Sequence, residues 1–275
     1  MIEIKKILVL IVLLVAVSMC GYSQGRVDGF LKVKGNLDAA FSFSREENTS
    51  YFAGREKINF SRRTKSYNSF LAYGITNNFD VNLSLPYVDV NGVEKDFQDY
   101  SIFLKYKIHS FSIQKINIDV ILAGGFSNNF SEYQVNGGNA IGQQAKAFDF
   151  RPVFQLNLGG GFFTTLQGGY TYRLDPVPSS IPFTIKVGLA KAKYYLDVWY
   201  DFQHGIDGFD YRGTPAPPSF RELGVSYNKV GGTFYVPLLK RLGAFVGAGY
   251  TISGRNIPHG LGINAGIVLK HFKKK

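Results

Sequence analysis

Charged side chains stand at alternate positions in several segments whose other residues are large and apolar. Successive side chains of a strand point to opposite faces, so the charged members of such a segment share one face. Charges on one face of a closed sheet can line a passage and bias what crosses it. Opposite charges on neighbouring strands can instead brace the wall, at about 0.2–1 kcal/mol a pair. We assign to this face Lys105, Asp119, Asp149, Arg151, Arg173, Lys186, Asp197, Asp201 and Glu222, with Trp199 between two of the acids.

Two cross-strand charge pairs follow from the expected turns. A turn centred on residue 112 places Lys105 opposite Asp119. A turn centred between residues 191 and 192 places Lys186 opposite Asp197. The position of Trp199 on the same face suits either of two roles, stacking on a ligand or filling space.

Residues for enzymatic chemistry are scarce. Covalent catalysis needs a base beside a nucleophile, and the chain has four histidines, none with a serine and an acid at strand spacing on its own face. We therefore predict no catalytic residue, no metal and no cofactor. Two alternatives stay open: an enzyme that combines His204 and His259 from two loops, and a metal site formed by His204, Asp207 and Asp210.

Alternation of apolar and polar residues recurs about a dozen times along the chain, as where Phe79, Val81 and Leu83 alternate with Asp80 and Asn82. This period of two indicates strands with one oily and one wet side. We predict an all-β, antiparallel up-and-down barrel of twelve strands, forming one domain over residues 24–275. The expected strands are residues 34–44, 66–76, 79–90, 99–108, 116–126, 145–158, 162–174, 181–189, 194–202, 220–236, 243–253 and 260–271.

The wet face decides between a membrane barrel and a water-soluble one. It holds mostly glycine, small polar and charged residues, which cannot fill a dry core. Aromatic residues stand at strand ends, as where a lipid-facing wall meets the headgroups; they are Tyr87, Tyr100, Tyr106, Phe148, Tyr172, Tyr194 and Phe202. The pattern favours a transmembrane barrel over a secreted sandwich or lipocalin-like barrel, because lipid admits only helices and closed barrels.

Connection lengths alternate. The connections after even-numbered strands are short, at residues 77–78, 109–115, 159–161, 190–193 and 239–242, whereas the long ones, at residues 45–65, 127–144 and 203–219, follow odd-numbered strands. Outer-membrane barrels have short periplasmic turns, long external loops and periplasmic termini. We further expect a β-bulge at Gly231 and Gly232, which lie in the least regular strand.

The first twenty-three residues are typical of a secretory signal peptide, since Lys5 and Lys6 precede an apolar run at residues 7–17 and small residues follow at Gly21 and Ser23. Cleavage after Ser23 would leave a chain without cysteine. A lipid anchor at Cys20 is the alternative.

Lysine and arginine number 31 against 20 acidic residues, but their distribution does not favour nucleic-acid binding. Arg62, Arg63 and Lys65 are expected to meet anionic lipopolysaccharide. Lys270 and the lysines at residues 273–275 are expected to contact lipid headgroups. The predicted partners are thus outer-membrane lipid, lipopolysaccharide and small-molecule solutes, with the protein a monomer.

Part of the chain resembles the outer-membrane channel family associated with phenol meta-cleavage pathways. The resemblance is carried by Tyr73-Gly74-Ile75-Thr76, Phe79-Asp80-Val81, Leu85-Pro86-Tyr87, Asp99-Tyr100-Ser101 and Leu104-Lys105-Tyr106-Lys107. It implies a FadL-like barrel that helps small, often hydrophobic or aromatic compounds cross the outer membrane. The family's Gly-x-Gly-Asp is replaced here by Phe97 and Gln98 before Asp99, and residues 24–33 are too few for the N-terminal hatch of FadL-type transporters.

The expected protein is therefore a non-enzymatic outer-membrane channel or transporter for small molecules. The alternative is a barrel that acts through its external loops, as an enzyme or as a surface-binding or structural protein. The loop at residues 203–219 suits the second reading, because its prolines stiffen it enough to fold over the mouth.

Overall fold

The computed structural model describes residues 27–272, which form one closed antiparallel β-barrel. Fourteen strand segments are present, and two pairs of them are separated by a single residue, so the wall has twelve strands. These are β1 (Leu37–Ala53), β2 (Glu56–Gly74), β3 (Phe79–Val90), β4 (Glu94–Phe97 and Asp99–Ile113), β5 (Ile116–Asn129), β6 (Ala147–Gly159), β7 (Phe162–Gly168 and Tyr170–Arg173), β8 (Ser180–Ala190), β9 (Tyr195–Gly205), β10 (Ser226–Leu239), β11 (Leu242–Arg255) and β12 (Ile257–His271). The predicted fold class is confirmed.

The first and last strands close the barrel. β1 pairs with β2 on one side and with β12 on the other, so Leu37 lies opposite both Tyr73 and His271. Closure leaves no free sheet edge, which lipid would not tolerate. None of the helices among residues 27–272 combines the length and the apolar character needed to cross a bilayer.

Large apolar side chains point outward from the wall, and polar ones point inward. The outward set includes Phe41, Leu83, Leu104, Phe150, Phe154, Phe183, Val198, Phe234, Val246 and Ile263, each more than a third exposed. A water-soluble barrel would have placed these side chains inside. Because buried polar groups such as Asp80, Gln155 and Thr165 are inside instead, the lumen face of this wall is the wet one.

The expected long loop at residues 45–65 is wrong, because β1 and β2 continue through it and turn at residues 54–55. This extension is polar outside as well as inside: Arg63 Nε lies 2.9 Å from Glu47 Oε1 on the outer face. The alternation that marks a lipid-facing strand is therefore lost there, although the ladder of hydrogen bonds is not. A strand that has left the bilayer has no need of an apolar side.

Two smaller expectations also fail. The tenth strand begins at Ser226 rather than at residue 220, because Phe220–Glu222 form a 3₁₀ turn. Its irregularities lie between Asn228 and Lys229 and between Pro237 and Leu239, not at Gly231 and Gly232. At those two glycines the ladder is regular.

The connections differ between the two ends of the barrel. At the turn end every connection is short: residues 75–78, 114–115, 160–161, 191–194 and 240–241. The opposite end, here called the loop end, carries the two long loops, residues 130–146 and 206–225. The predicted alternation holds for these two loops. The signal peptide, Cys20 and the lysines at residues 273–275 lie outside the described residues.

Candidate functional site

Residues 27–36, here called the lumen segment, lie inside the barrel ahead of β1. Val27 packs among Phe103, Ile121, Ala123 and Val153, all of them buried. Its backbone N–H donates to Gln167 Oε1 at 3.3 Å, and Gln167 Nε2 donates to its carbonyl at 3.0 Å. The expectation that this stretch is too short to form a FadL-type hatch stays a prediction, but even a short extended segment fills part of the lumen that twelve strands enclose.

Gly29 shows how closely the lumen segment approaches the wall. A Cβ built at this residue would lie 2.0 Å from Gln155 Oε1 and 3.1 Å from Thr165 Cγ2. Any other residue here would have to displace the Gln155 side chain, which accepts a hydrogen bond from Thr165. Phe30, the next residue, packs its ring edge-on against Phe163 at 5.0 Å between centroids.

Lys105 holds the lumen segment to β3 and β4. Its Nζ donates to the carbonyls of Asp28 and Phe30 at 2.9 Å each and lies 3.3 Å from Asp80 Oδ2. Asp80 in turn accepts the backbone N–H of Lys32 at 3.1 Å. Both side chains are about fully buried, at 1% and 0% exposure. We call Lys105 and Asp80 the clamp.

The predicted pairing of Lys105 with Asp119 is wrong. Lys105 lies opposite Ala123, and Asp119 lies opposite Ser110, because β4 runs on to Ile113 and carries a bulge between Lys107 and His109. Asp119 pairs with Lys107 instead, with Nζ 3.6 Å from Oδ1. The parity rule that placed Lys105 inside also places Asp80 inside, so the true partner could have been found from the sequence.

A second inward group lies on β6 and β7. Arg151 Nη2 donates to Asp149 Oδ1 at 2.8 Å, and Thr171 Oγ1 donates to the same oxygen at 2.6 Å. The guanidinium also lies 5.5 Å from the centre of the Phe103 ring. Arg173, farther along β7, donates to Pro178 O at 3.0 Å and to Ser180 Oγ at 2.8 Å.

The predicted ion pair between Lys186 and Asp197 is present, with Nζ 3.5 Å from Oδ2. The register differs by two residues, since Lys186 lies opposite Trp199 and Asp197 lies opposite Gly188. The pair is therefore diagonal. Tyr195 also donates its hydroxyl to Asp197 Oδ2 at 2.5 Å, and Lys186 attracts Asp28 of the lumen segment.

Trp199 fills space in the wall. Its side chain is 4% exposed, and a Cβ at Gly231 would lie 2.1 Å from its Cζ2 atom. Gly249 makes room on the next strand, where a Cβ would lie 2.9 Å from Cη2. Gly231, which was expected to mark a bulge, and Gly249 leave the space that the indole occupies. With 4% of its surface exposed, Trp199 has almost no free face on which a ligand could stack.

The remaining charges of the predicted set divide between wall and loop. Asp201 is fully buried and lies opposite Lys229 on β10. Glu222 lies outside the wall, in the 3₁₀ turn of the loop at residues 206–225. The predicted inward position of Glu222 is wrong, because the tenth strand begins four residues after it, at Ser226.

A polar cavity of about 480 Å³ lies in the lumen between the lumen segment and the loop end. Its lining includes Ser42, Ser44, Asn68, Ser101, Asp149 and Lys229. Hydroxyls, amides and both signs of charge face this space, so it suits water and small polar or ionic solutes more than a packed core.

The two long loops close over the mouth of this cavity. The two N–H groups of Gln143 Nε2 are shared among the carbonyls of Phe220, Arg221 and Leu223, at 3.2, 3.0 and 2.9 Å. Arg221 Nε returns a bond to Gln143 O at 3.1 Å. We call these contacts the latch, because they join residues 130–146 to residues 206–225.

Each loop is also fastened to the barrel rim. Tyr133 donates its hydroxyl to Asp99 Oδ1 at 2.5 Å, and burial raises the pKa of this tyrosine far above its usual range, so it remains a donor. In the other loop, Asn256 Oδ1 accepts the N–H of Tyr211 at 2.8 Å, and its Nδ2 donates to Phe209 O at 2.9 Å.

An apolar pocket of about 170 Å³ lies under the latch. We call it the mouth pocket. Four aromatic rings line it, and they meet edge to face at 5.7, 5.6 and 5.2 Å along the series Phe60, Tyr51, Tyr211, Phe220. Arg62, Ile141 and Pro258 line this pocket and the lumen cavity alike.

Arg62 was expected at the outer surface with Arg63 and Lys65, but it faces inward. Its guanidinium donates to Gly138 O at 3.0 Å and to Ala140 O at 2.7 Å. Arg63 and Lys65 stay outside, beside Glu47 and Asp89 respectively. Strand parity alone separates the neighbours.

His259 makes side-chain contacts that the sequence does not indicate. Ser50 Oγ lies 3.0 Å from His259 Nδ1 across the seam of β1 and β12, and Tyr250 lies 3.3 Å from Nε2. Burial lowers the pKa of His259, and Lys57 acts in the same direction. Ser50 is only 5% exposed, which shields it from a substrate. Within residues 27–272 no group of three or more His, Cys, Asp or Glu side chains can hold a metal, so the site at His204, Asp207 and Asp210 does not form.

No protein-family model matches the chain, and no curated protein sequence matches it significantly. Among solved structures, the chain is similar to the COG4313 outer membrane channel from Pseudomonas putida F1, with a TM-score of 0.69 and 13% identity over 90% of this chain and 100% of that one. The NanC porin aligns with a TM-score of 0.51 and 10% identity over 85% and 98% of the two chains. Outer membrane phospholipase A from Escherichia coli aligns at 0.47 and 9% identity, over 85% and 92%. The likeness to the first two, at these identities, establishes the outer-membrane barrel fold alone.

Proposed function

We propose that this protein is an outer-membrane channel that passes small molecules without chemical conversion. The observation that carries the proposal is the polar cavity of about 480 Å³ enclosed by a lipid-facing wall. The lumen segment closes it toward the turn end, and the latched loops cover it at the loop end. Likeness to a channel and a porin of the same fold supports this reading.

We propose that the turn end faces the periplasm and the loop end faces the outside of the cell, because outer-membrane barrels have short periplasmic turns and longer external loops. The protein acts as a monomer. Arg63 and Lys65 on the outer face of the β1–β2 extension then lie at the height of lipopolysaccharide. Lys270 alternates with the outward Ile267 and Leu269 and so faces inward, with its Nζ 4.7 Å from the Tyr235 ring centre, which makes its predicted contact with lipid headgroups wrong. Small molecules are the proposed cargo; the lumen cavity suits polar ones, and the resemblance of residues 73–107 adds hydrophobic or aromatic ones.

Single-channel conductance of the refolded protein in a planar bilayer tests the proposal. The intact mature chain is expected to show small, steady conductance, and a variant lacking residues 24–33 is expected to conduct several-fold more, because the lumen segment no longer fills the lumen. Circular dichroism and heat-modified gel mobility confirm that both forms are folded. Two folded, inserted and silent forms would instead favour a barrel that acts through its loops.

Lys186→Ala tests whether the inward charges influence permeation. The substitution leaves Asp197 without its cationic partner near the lumen segment, so cation selectivity is expected to rise while the barrel stays inserted. Reversal potentials across a salt gradient measure it. Unchanged selectivity would assign Lys186 and Asp197 to bracing the wall.

A further inference from the structure

We propose that the mouth pocket binds a small aromatic carboxylate, with its ring among Tyr51, Phe60, Tyr211 and Phe220 and its carboxylate on Arg62. The inference deepens the proposed function, since it assigns a class of cargo to the channel and therefore rests on it. Binding itself needs no conduction, so the two can fail separately.

The size of the pocket suits one ring. An engineered apolar cavity of about 150 Å³ binds benzene, and the mouth pocket has about 170 Å³. Aromatic rings stack best edge to face or offset, and the four pocket rings already meet edge to face in a continuous series. A bound aromatic ring could therefore make with the pocket the same edge-to-face contacts that the four pocket rings make with one another.

The polar group comes from Arg62. Its Nε donates to Thr64 Oγ1 at 3.3 Å, and its two terminal nitrogens donate to Gly138 O and Ala140 O. A guanidinium carries more N–H donors than these three bonds use. No ion pair within 4.0 Å joins Arg62 to a carboxylate among residues 27–272.

Arg62 lines the mouth pocket and carries its positive charge in a largely buried site. Burial lowers the pKa of this guanidinium, and the opposing influences of Tyr51 and Glu46 do not restore it. A half-buried cation is stabilised by a paired carboxylate, and guanidinium matches that geometry with two parallel bonds. An aromatic carboxylate bound in this way would satisfy both the rings and the charge.

The position of the pocket ties binding to passage. Arg62, Ile141 and Pro258 border the mouth pocket on one side and the lumen cavity on the other. A carboxylate on Arg62 would therefore lie at the boundary between them, with its ring still under the latched loops. The site selects a molecule at the point where it enters the lumen.

Fluorine NMR titration of the refolded full-length mature barrel with 4-fluorobenzoate and with 4-fluorobenzamide tests the site. The carboxylate is expected to bind about tenfold more tightly than the neutral amide, the value of one charge-assisted hydrogen bond pair. Arg62→Gln is expected to abolish that preference while leaving the amide's affinity within about twofold, and Arg62→Lys to keep part of it. Arg63→Gln, which removes the same charge one residue away on the outer face, is the matched control and should change nothing.

A pocket-filling variant checks the location. Ala140→Phe places a ring inside the mouth pocket and is expected to displace both probes. Equal binding of the two probes to the unmodified protein would overturn the role of Arg62, even if Arg62→Gln failed to fold. Binding of hexanoate as tight as that of the fluorobenzoate would overturn the role of the rings. Unaltered binding in Ala140→Phe would place the site elsewhere.

Discussion

At the scale of single residues, the clamp joins two oppositely charged side chains that are both buried in the barrel. Lys105 and Asp80 are both buried, and Lys105 also satisfies two carbonyls of the lumen segment. Lys107 and Asp119, two residues along β4, form a pair at 3.6 Å that is about a quarter exposed on each side. Burial rather than charge separates these two pairs.

Lys105→Met is expected to lower the free energy of unfolding by about 3–5 kcal/mol, because it leaves Asp80 buried without its cation. Lys107→Met, the matched control, is expected to cost about 0–1 kcal/mol. Urea unfolding in detergent micelles, followed by the fluorescence of Trp199, measures both. Combining Lys105→Met with Asp80→Asn should recover part of the loss. Equal effects of the two lysine substitutions would contradict the clamp.

Gly231 and Trp199 make a prediction of their own. Gly231→Ala places a methyl group 2.1 Å from the Trp199 ring and is expected to cost about 1–3 kcal/mol through overpacking. Gly124→Ala, where a Cβ meets nothing within 4 Å, serves as the control. Since Trp199 is the single tryptophan of the chain, its emission maximum reports the disturbance directly. An unchanged emission maximum and an unchanged free energy of unfolding in Gly231→Ala would contradict the close packing of Gly231 against the indole.

At the scale of elements, strands that touch lipid could be predicted from the sequence, and those that do not could not. β3 has the bounds expected from its alternation, because Phe79, Val81 and Leu83 face lipid while Asp80 faces the lumen. The β1–β2 extension was missed, since Arg45 and Glu47 meet water on the outside. The register predicted between β4 and β5 was also wrong. The bulge between Lys107 and His109 shifts it, and no residue type in that segment distinguishes a bulge from a regular strand.

For the candidate site, the sequence predicted only which side chains face the lumen. Parity placed Arg151 and Lys186 inside correctly but gave no indication of the lumen segment, whose contacts with Gln167 and Lys105 join residues far apart in the chain. The mouth pocket could not be predicted either, because Tyr51, Ile141 and Phe220, which line it, come from three separate segments of the chain. Contacts of that range depend on closure, which no local pattern encodes.

Gln143→Ala tests the latch. Loss of this amide, whose two N–H groups reach three carbonyls, is expected to free residues 130–146 from residues 206–225. Backbone amides there should exchange hydrogen about tenfold faster, since a hydrogen bond to the backbone contributes about 0.5–1.5 kcal/mol. Hydrogen exchange with mass spectrometry measures this. Gln134→Ala is the control, because it lies in the same loop and its side chain accepts only the N–H of Val135. Identical exchange in the two variants would show that the rim contacts of Tyr133 and Asn256 hold the loops unaided.

At the scale of the whole molecule, the outward face defines where the bilayer ends. Val198 lies in the middle of an outward apolar series on β9, whereas Ser61 points outward from the polar β1–β2 extension. Val198→Arg is expected to destabilise the folded barrel in liposomes by about 2–4 kcal/mol. Ser61→Arg is expected to be nearly neutral, as its position lies in water. A comparable cost at both positions would mean that the extension is embedded in lipid.

The seam between β1 and β12 has a consequence for biogenesis. Leu37 pairs with His271 and Phe52 with Ile257, so the outer edge of the first strand waits for a partner made more than two hundred residues later. Pairing β1 with β12 closes a loop of more than two hundred residues, and the conformational entropy lost in this step is larger than that lost in forming any hairpin between neighbouring strands. Until the final strand arrives, that edge is an open template for pairing with other chains. A nascent barrel of this kind therefore needs shelter through its whole synthesis, and a chain that stops short of β12 is an aggregation hazard rather than a smaller barrel.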